Sequence, residues 1–193
     1  MAVRMLPAGD RQPAAWKNGG GVTREVAADP PGADLADFDW RVSFAEVAAG
    51  GPFSLFAGVD RIITLVAGQG MELTVDGLAA LVAEPYEPFA FPGDAAVDCR
   101  LLGGPIVDFN VMSRRGRVGA TVEIAVTPRE LVPPLGAMIL VVALGGQVAL
   151  SWQEDEPSTA VLERYDAAVL TEGTRAEIEP DGTAAVVIFA PIP

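Results

Sequence analysis

Short runs in which apolar and polar residues alternate recur along the whole chain, and Gly or Pro breaks each longer stretch before a clean 3.6-residue period is established. The pattern predicts strands at 40–47, 61–66, 71–75, 97–102, 106–112, 120–126, 138–143, 147–152, 168–170, 175–178 and 184–189. Asp76-Gly77 and Asp181-Gly182 predict hairpin turns, because both residue types accept the positive φ such turns require. The chain reads as all-β.

The pattern also repeats. Residues 63–73 and 140–150 each consist of an apolar run, a glycine corner (Gly68-Gln69-Gly70, then Gly145-Gly146) and a second apolar run. Pro92-Gly93-Asp94 ahead of 97–102 has a counterpart in Glu172-Gly173-Thr174 ahead of 175–178, and each copy closes on an apolar strand. Two similar β-units, at 1–118 and 119–193, have the rhythm of cupin jelly rolls. The expected fold is therefore a bicupin, two stacked cupin-like β-barrels in one compact body. Sheets closed on themselves leave few free edges and a mouth in which a small ligand can be buried.

Composition narrows the chemistry. With 193 residues and 50% hydrophobic content the chain can fill a core without staples, and the single Cys99 has no internal bridging partner. A net charge of −13 repels nucleic-acid backbones. The longest apolar stretch, near 131–150, is broken by Pro133, Pro134, Gly136, Gly145 and Gly146, so no membrane span is expected. The N-terminus lacks a secretory pattern, and the expected setting is a soluble cytoplasmic one with neither nucleic acid nor membrane as partner.

The chain has no histidine, the commonest ligand for Zn, Fe, Cu and Ni and the commonest general base near neutral pH. No cofactor, no metal site and no Ser-His-Asp arrangement is expected, and Cys99 has no activating partner in its strand. A hard-metal site of Asp, Glu and Asn stays open on residue types alone. The only lysine, Lys17, lies in Trp16-Lys17-Asn18-Gly19-Gly20-Gly21. This segment is either a ligand-contacting turn, with Lys17 and Asn18 as donors, or a structural one in which Trp16 fills a gap and Lys17 pairs with a carboxylate.

Arg61 shares a strand face with Ile63 and Leu65. A guanidinium walled by apolar groups suits bidentate capture of a carboxylate; the alternative is a structural ion pair with Asp60, Asp94 or Asp108. On strand 40–47, Arg41, Ser43 and Ala45 share one face and Trp40, Val42, Phe44 and Glu46 the other. Glu46 is then either exposed at the rim or a buried acid paired with Arg24, Arg41 or Arg61. Asp108, Asn110 and Met112 share a face as well, and an inward amide at Asn110 needs a partner in the pocket or in a neighbouring loop.

Leu6-Pro7, the stretches from Trp16 to Glu25 and from Phe38 to Val47, Gly51-Pro52-Phe53-Ser54, the stretch from Phe89 to Asp94 and Asp108-Phe109-Asn110-Val111-Met112 together resemble the HutD/Ves family. The resemblance covers most of residues 1–116 and is only compositional after Ala120. It implies a bicupin fold. For HutD-like members it also implies a place beside histidine-utilisation genes, binding a small acidic metabolite and restraining pathway output. It points to Arg61 as the carboxylate anchor.

The function expected is thus metal-independent binding of a small carboxylate of the formate, urocanate or formylglutamate type. Arg61, Lys17, Asn18, Ser43, Glu46 and Asn110 surround it, and no residue is assigned a catalytic role. The alternative is a metal-free isomerase, lyase or hydrolase acting on such a carboxylate, with acid/base work by Glu46, Lys17 or Asp108. A third reading makes the apolar strands of the second barrel a homodimer surface.

Overall fold

The computed structural model describes residues 3–153 and 156–192. The chain opens with β1 (Val3–Leu6), β2 (Pro13–Ala15), β3 (Gly21–Asp29), β4 (Trp40–Val47), β5 (Gly51–Pro52) and β6 (Val59–Ala67). There follow β7 (Met71–Val75), β8 (Leu78–Val82), β9 (Pro88–Pro92), β10 (Val97–Leu101) and β11 (Ile106–Arg114). The rest is β12 (Val118–Ala125), β13 (Arg129–Leu131), β14 (Met138–Gln153), β15 (Pro157–Leu162), β16 (Ala167–Leu170) and β17 (Ala176–Pro191). Among the described residues no helix is long and apolar enough to cross a membrane.

Two units emerge, Gln12–Arg117 and the combination of Met1–Arg11 with Val118–Pro193. The sequence expectation put the first residues with the N-terminal unit, 1–118. That assignment is corrected: β1 pairs with β16 from Val3↔Leu170 to Leu6↔Ala167, and Val3 is buried in the core cluster that holds Leu150 and Val186. The N–H of Ala8 also donates to Asp166 Oδ1 at 2.6 Å. Local alternation identifies a strand but not its distant partner.

The unit Gln12–Arg117 consists of two antiparallel sheets, of order β2-β3-β4-β11-β6-β9 and β5-β10-β7-β8. On β10, Val97 and Cys99 are buried while Asp98 and Arg100 are exposed, the alternation of a strand with one face on a core. Those inward residues join Ala45, Val47, Ile63, Leu65, Met71, Leu73 and Ile106 in one apolar cluster. The Gly68-Gln69-Gly70 corner carries the chain from β6 in one sheet to β7 in the other, with φ of 98° at both glycines. Asp76 and Gly77 form the expected hairpin between β7 and β8, with positive φ at both positions.

The second unit uses the same plan with fewer breaks. Strands predicted at 138–143 and 147–152 are one strand, β14, and those at 175–178 and 184–189 are one strand, β17. Asp181-Gly182 is accordingly not a hairpin turn. Gly146 pairs with Gly182 inside the β14–β17 ladder, which shifts register between Ala143 and Gly145. A Cβ on Gly146 would lie 1.9 Å from the Asp181 carbonyl oxygen, so the two backbones stay paired through the bend only because both positions are glycine. The pairings β9-β6-β11-β4 and β8-β7-β10-β5 of the first unit recur here as β16-β14-β17-β12 and β15-β14-β17-β13. The internal repeat read from the sequence is therefore a repeat of topology.

Gly21 opens β3 at a similarly crowded point. A Cβ there would sit 2.6 Å from the Glu46 carbonyl oxygen and 3.2 Å from the Trp16 ring. Gly21→Ala is expected to destabilise the fold by about 1–3 kcal/mol. A lower denaturant midpoint at unchanged slope is the reading that checks it.

Candidate functional site

The inner face of the six-stranded sheet changes character along its strands. Beside the apolar end formed by Val47, Ile106 and Leu65, the cross-strand rows turn polar. Ser43 lies opposite Asn110, itself opposite Ile63; one step on, Arg41, Met112, Arg61 and Phe91 follow one another across the strands. This polar end, the segment 52–56 and the turn after β2 enclose a cavity of about 580 Å³. Its volume is in the range of sites for small molecules. Arg61, Lys17, Asn18, Ser43 and Asn110 all line it; Glu46 does not.

Arg61 occupies the inner wall and is 9% exposed. Its guanidinium carbon stands 5.0 Å from the ring centroids of both Phe53 and Phe91 and 5.7 Å from that of Phe56. Ring faces attract a desolvated cation at such distances. One Nη donates to Asn110 Oδ1 at 3.4 Å, whereas buried Nε has no hydrogen-bond partner among the described residues. Burial pushes this group down to about 10, opposed by the charge of Asp108 and aided by that of Arg41, so it stays cationic at neutral pH. The carboxylates of Asp60 and Asp94 are taken by Arg115, whose Nε and Nη2 approach them at 2.7 Å each. Among the described residues Arg61 has no ion-pair partner.

Asp108 lines the same cavity and is 4% exposed. Burial raises its carboxyl to about 7 against the opposing pull of Arg61, which places its titration near neutrality. Cys99, on β10, is buried with its Sγ 3.7 Å from Met71 Sδ, and burial pushes the thiol up to about 11. It is an inert core residue.

The rim is built by the turn that the lysine marks. Gly19 adopts a φ of 71°, and the N–H of Gly20 donates to Asn18 Oδ1 at 3.0 Å. Trp16 Nε1 donates to Thr23 Oγ1 at 2.8 Å, fixing the indole as a cavity wall packed on the apolar cluster. Lys17 is exposed at the rim and, among the described residues, has no ion-pair partner. Arg41 also lines the cavity, with Nε 2.7 Å from Glu25 Oε2.

Glu46 is the one correction among the predicted site residues. It sits on the opposite face of β4, is exposed, and forms an ion pair with Arg24. Both faces of β4 are largely buried, with Val42 at 0% and Ser43 at 1% exposure, so alternation could not name the cavity side. The residues missed are Arg41 and the Phe53, Phe56 and Phe91 surround, while the sequence names Asp108 only as an acid/base candidate of the enzyme alternative or a partner for Arg61. Arg41 shares the alternation of Ser43, and Asp108 that of Asn110; those face-mates were the available signal.

The donor set is unlike that of a metal site. Among the described residues no group of three His, Cys, Asp or Glu could hold a metal ion, and the cavity wall carries one carboxylate facing a buried guanidinium. A cation would meet Arg61, Arg41 and Lys17. Cationic side chains thus outnumber carboxylates on this wall.

The sequence model of a family described as HutD matches residues 8–188. A Pseudomonas putida protein described as an uncharacterized 21.2 kDa protein in the hutC 3′ region is 44% identical over 121 residues, 63% of each chain. Protein Ves of Citrobacter koseri is 42% identical over 113 residues, 57% of each. The chain thus spans less than two thirds of the length of either relative. Among solved structures, HutD from Pseudomonas fluorescens SBW25, in a formate condition, has a TM-score of 0.85 at 32% identity, with both chains covered in full. A Lactobacillus farciminis oxalate decarboxylase in a formate complex has a TM-score of 0.67 at 10% identity, with 97% of this chain and 86% of that one covered. That likeness shows the cupin fold.

Burial of Asp108 has a stability signature. The fold favours its neutral form, so its contribution to stability is fully present below the ordinary value of 3.8 and lost as pH rises to about 7. Asp108→Asn is expected to raise the melting temperature at about pH 8 and to match the parent chain near pH 4. Thermal denaturation across that range checks it; an equal difference at both ends counts against a buried ionised carboxylate.

Proposed function

Because the chain belongs to the HutD family, we propose that the cavity of the unit Gln12–Arg117 binds a small anionic carboxylate metabolite without a metal ion, Arg61 being its anchor. The observation that carries this reading is a buried guanidinium on a cavity wall with no ion-pair partner among the described residues and an unpartnered Nε. A guanidinium fork presents parallel N–H donors that match two carboxylate oxygens, and a poorly hydrated setting strengthens the pair. Asn110 and Ser43 supply further polar contacts beside the anchor, while Lys17, Asn18 and Arg41 draw the anion in at the mouth.

Aromatic rings around Arg61 hold the fork in place before the guest arrives, which lowers the ordering cost of binding. Family membership and the hutC-region relative support a setting in histidine utilisation. There the chain acts in the cytoplasm as a metabolite-responsive restraint on pathway output, taking a carboxylate of the formate, urocanate or formylglutamate type.

Thermal-shift titration with formate, urocanate and formylglutamate tests this reading. At a hundredfold excess over Kd, stabilisation of about 2.7 kcal/mol is expected. Arg61→Ala abolishes the shift, Arg61→Lys keeps a small part of it because a point charge lacks the fork, and Glu46→Gln leaves it unchanged. A shift that survives Arg61→Ala sinks the anchor. Product detected by mass spectrometry in the same mixtures replaces the binding module with a metal-free enzyme.

A further inference from the structure

Asp108 stands in the cavity wall, yet carboxylate capture by Arg61 makes no use of it. Its side chain projects from β11 on the face shared with Asn110 and Met112, and its direct cross-strand neighbours are the apolar Ala45 and Leu65. Among the described residues Arg61 and Asp108 form no ion pair; the guanidinium turns to Asn110 Oδ1 instead. A buried acid and a buried cation therefore line one cavity without neutralising each other by contact. Any anion that reaches Arg61 enters the cavity that also holds the buried Asp108, and repulsion between two ionised carboxylates there favours a proton on one of them.

The other groups around Asp108 do not supply that proton, although the charge of Arg61 offsets part of the repulsion. Arg61 on β6 and Arg41 on β4 are cations, and Arg41 is tied to Glu25 of β3 at the exposed rim. Lys17 stands at the rim as well. From the facing sheet, Cys99 of β10 keeps its proton, and Asp98 beside it is exposed. Asp108 itself is the group able to change charge when an anion arrives.

Resting on the carboxylate-binding reading of this cavity, we propose that capture is proton-linked: the guest binds Arg61 as an anion while Asp108 takes one proton from solvent and offers its O–H to a guest oxygen. The titration of the free carboxyl near 7 puts this linkage in the range where small changes of pH alter occupancy. The sign follows from reciprocity. A bound anion raises the affinity of Asp108 for its proton, so a proton on Asp108 raises the affinity for the anion, and binding weakens as pH rises above about 7. Asp108 thereby acts as a residue that sets when the site is filled.

Isothermal titration of the full chain with formate, at pH values from about 6 to 8.5, tests it. Formate stays ionised throughout, so any pH dependence belongs to the protein. The apparent Kd is expected to weaken by up to about tenfold per pH unit above the titration of Asp108. In two non-carboxylate buffers of different ionisation enthalpy, uptake is expected to approach one proton per formate near pH 8. Asp108→Asn, neutral at every pH and still a donor, is expected to bind at pH 8 as the parent chain binds at pH 6. Should that variant fail to fold, the buffer pair on the parent chain decides alone. A pH-independent Kd without proton uptake, or an Asn variant that keeps the parent slope, overturns the linkage and leaves carboxylate binding intact. Formate that binds at no pH removes both.

Discussion

A guanidinium withdrawn from water without an ion pair among the described residues is the constraint around which the unit Gln12–Arg117 is organised. Burying a charge costs several kcal/mol unless compensating groups are supplied. Here the compensation is partial and diffuse: three phenylalanine rings, one amide oxygen and the longer-range field of Asp108. Asp60 and Asp94, two of the acids the sequence offered as partners, are bridged by Arg115 instead. The Arg61 guanidinium turns to Asn110 on the cavity wall. Each neighbour thus has a purpose in holding the cation in place without discharging it.

The two units show what the shared topology contributes and what it does not. Both are built from the same order of antiparallel pairings. Where β6 and β11 present Arg61, Asp108 and Asn110 inward, β14 and β17 present Ile139, Val141, Val186 and Ile188 to an apolar core cluster. The barrel plan supplies a face and a mouth; a few polar side chains at one end of that face leave a polar-walled cavity where the other unit has a packed interior. The all-apolar face can afford long unbroken strands bent at paired glycines, whereas the first unit separates its sheets at Gly68-Gln69-Gly70.

Much of this was legible in the sequence for local reasons. Period-two alternation identified β4, β6, β7, β10, β11, β12 and parts of β14, β16 and β17, but not the short or partly exposed β1, β2, β5, β8, β9, β13 and β15 nor the run of β3. It placed Arg61 with Ile63 and Leu65, which is the relation that makes it a cavity residue. The glycine turn around Lys17 and the inward amide of Asn110 were legible in the same way. What alternation lacks is any record of partners. Glu46 was misassigned because β4 is buried on both faces, and the polar side of such a strand is decided by the sheet opposite. The pairing of β1 with β16 spans most of the chain, so nothing near Val3 encodes it. Gly145-Gly146 and Asp181-Gly182 each look like turns alone; only their mutual register makes them one bend in two continuous strands.

The energetics of Arg61 and Asp108 argue for function over architecture. Each is more than nine-tenths buried, and each is shifted toward its neutral form by desolvation. Apolar side chains of similar volume at buried ionic positions are commonly neutral or stabilising. The second unit illustrates the point, since the core cluster on the inward face of its strands consists of apolar side chains. A barrel selected for stability alone would fill the first cavity in the same manner. Retaining a guanidinium with no ion pair among the described residues, an acid that titrates near neutrality and about 580 Å³ of open volume sacrifices fold stability at one place. Such a sacrifice is intelligible where an anionic guest restores the missing interactions on binding.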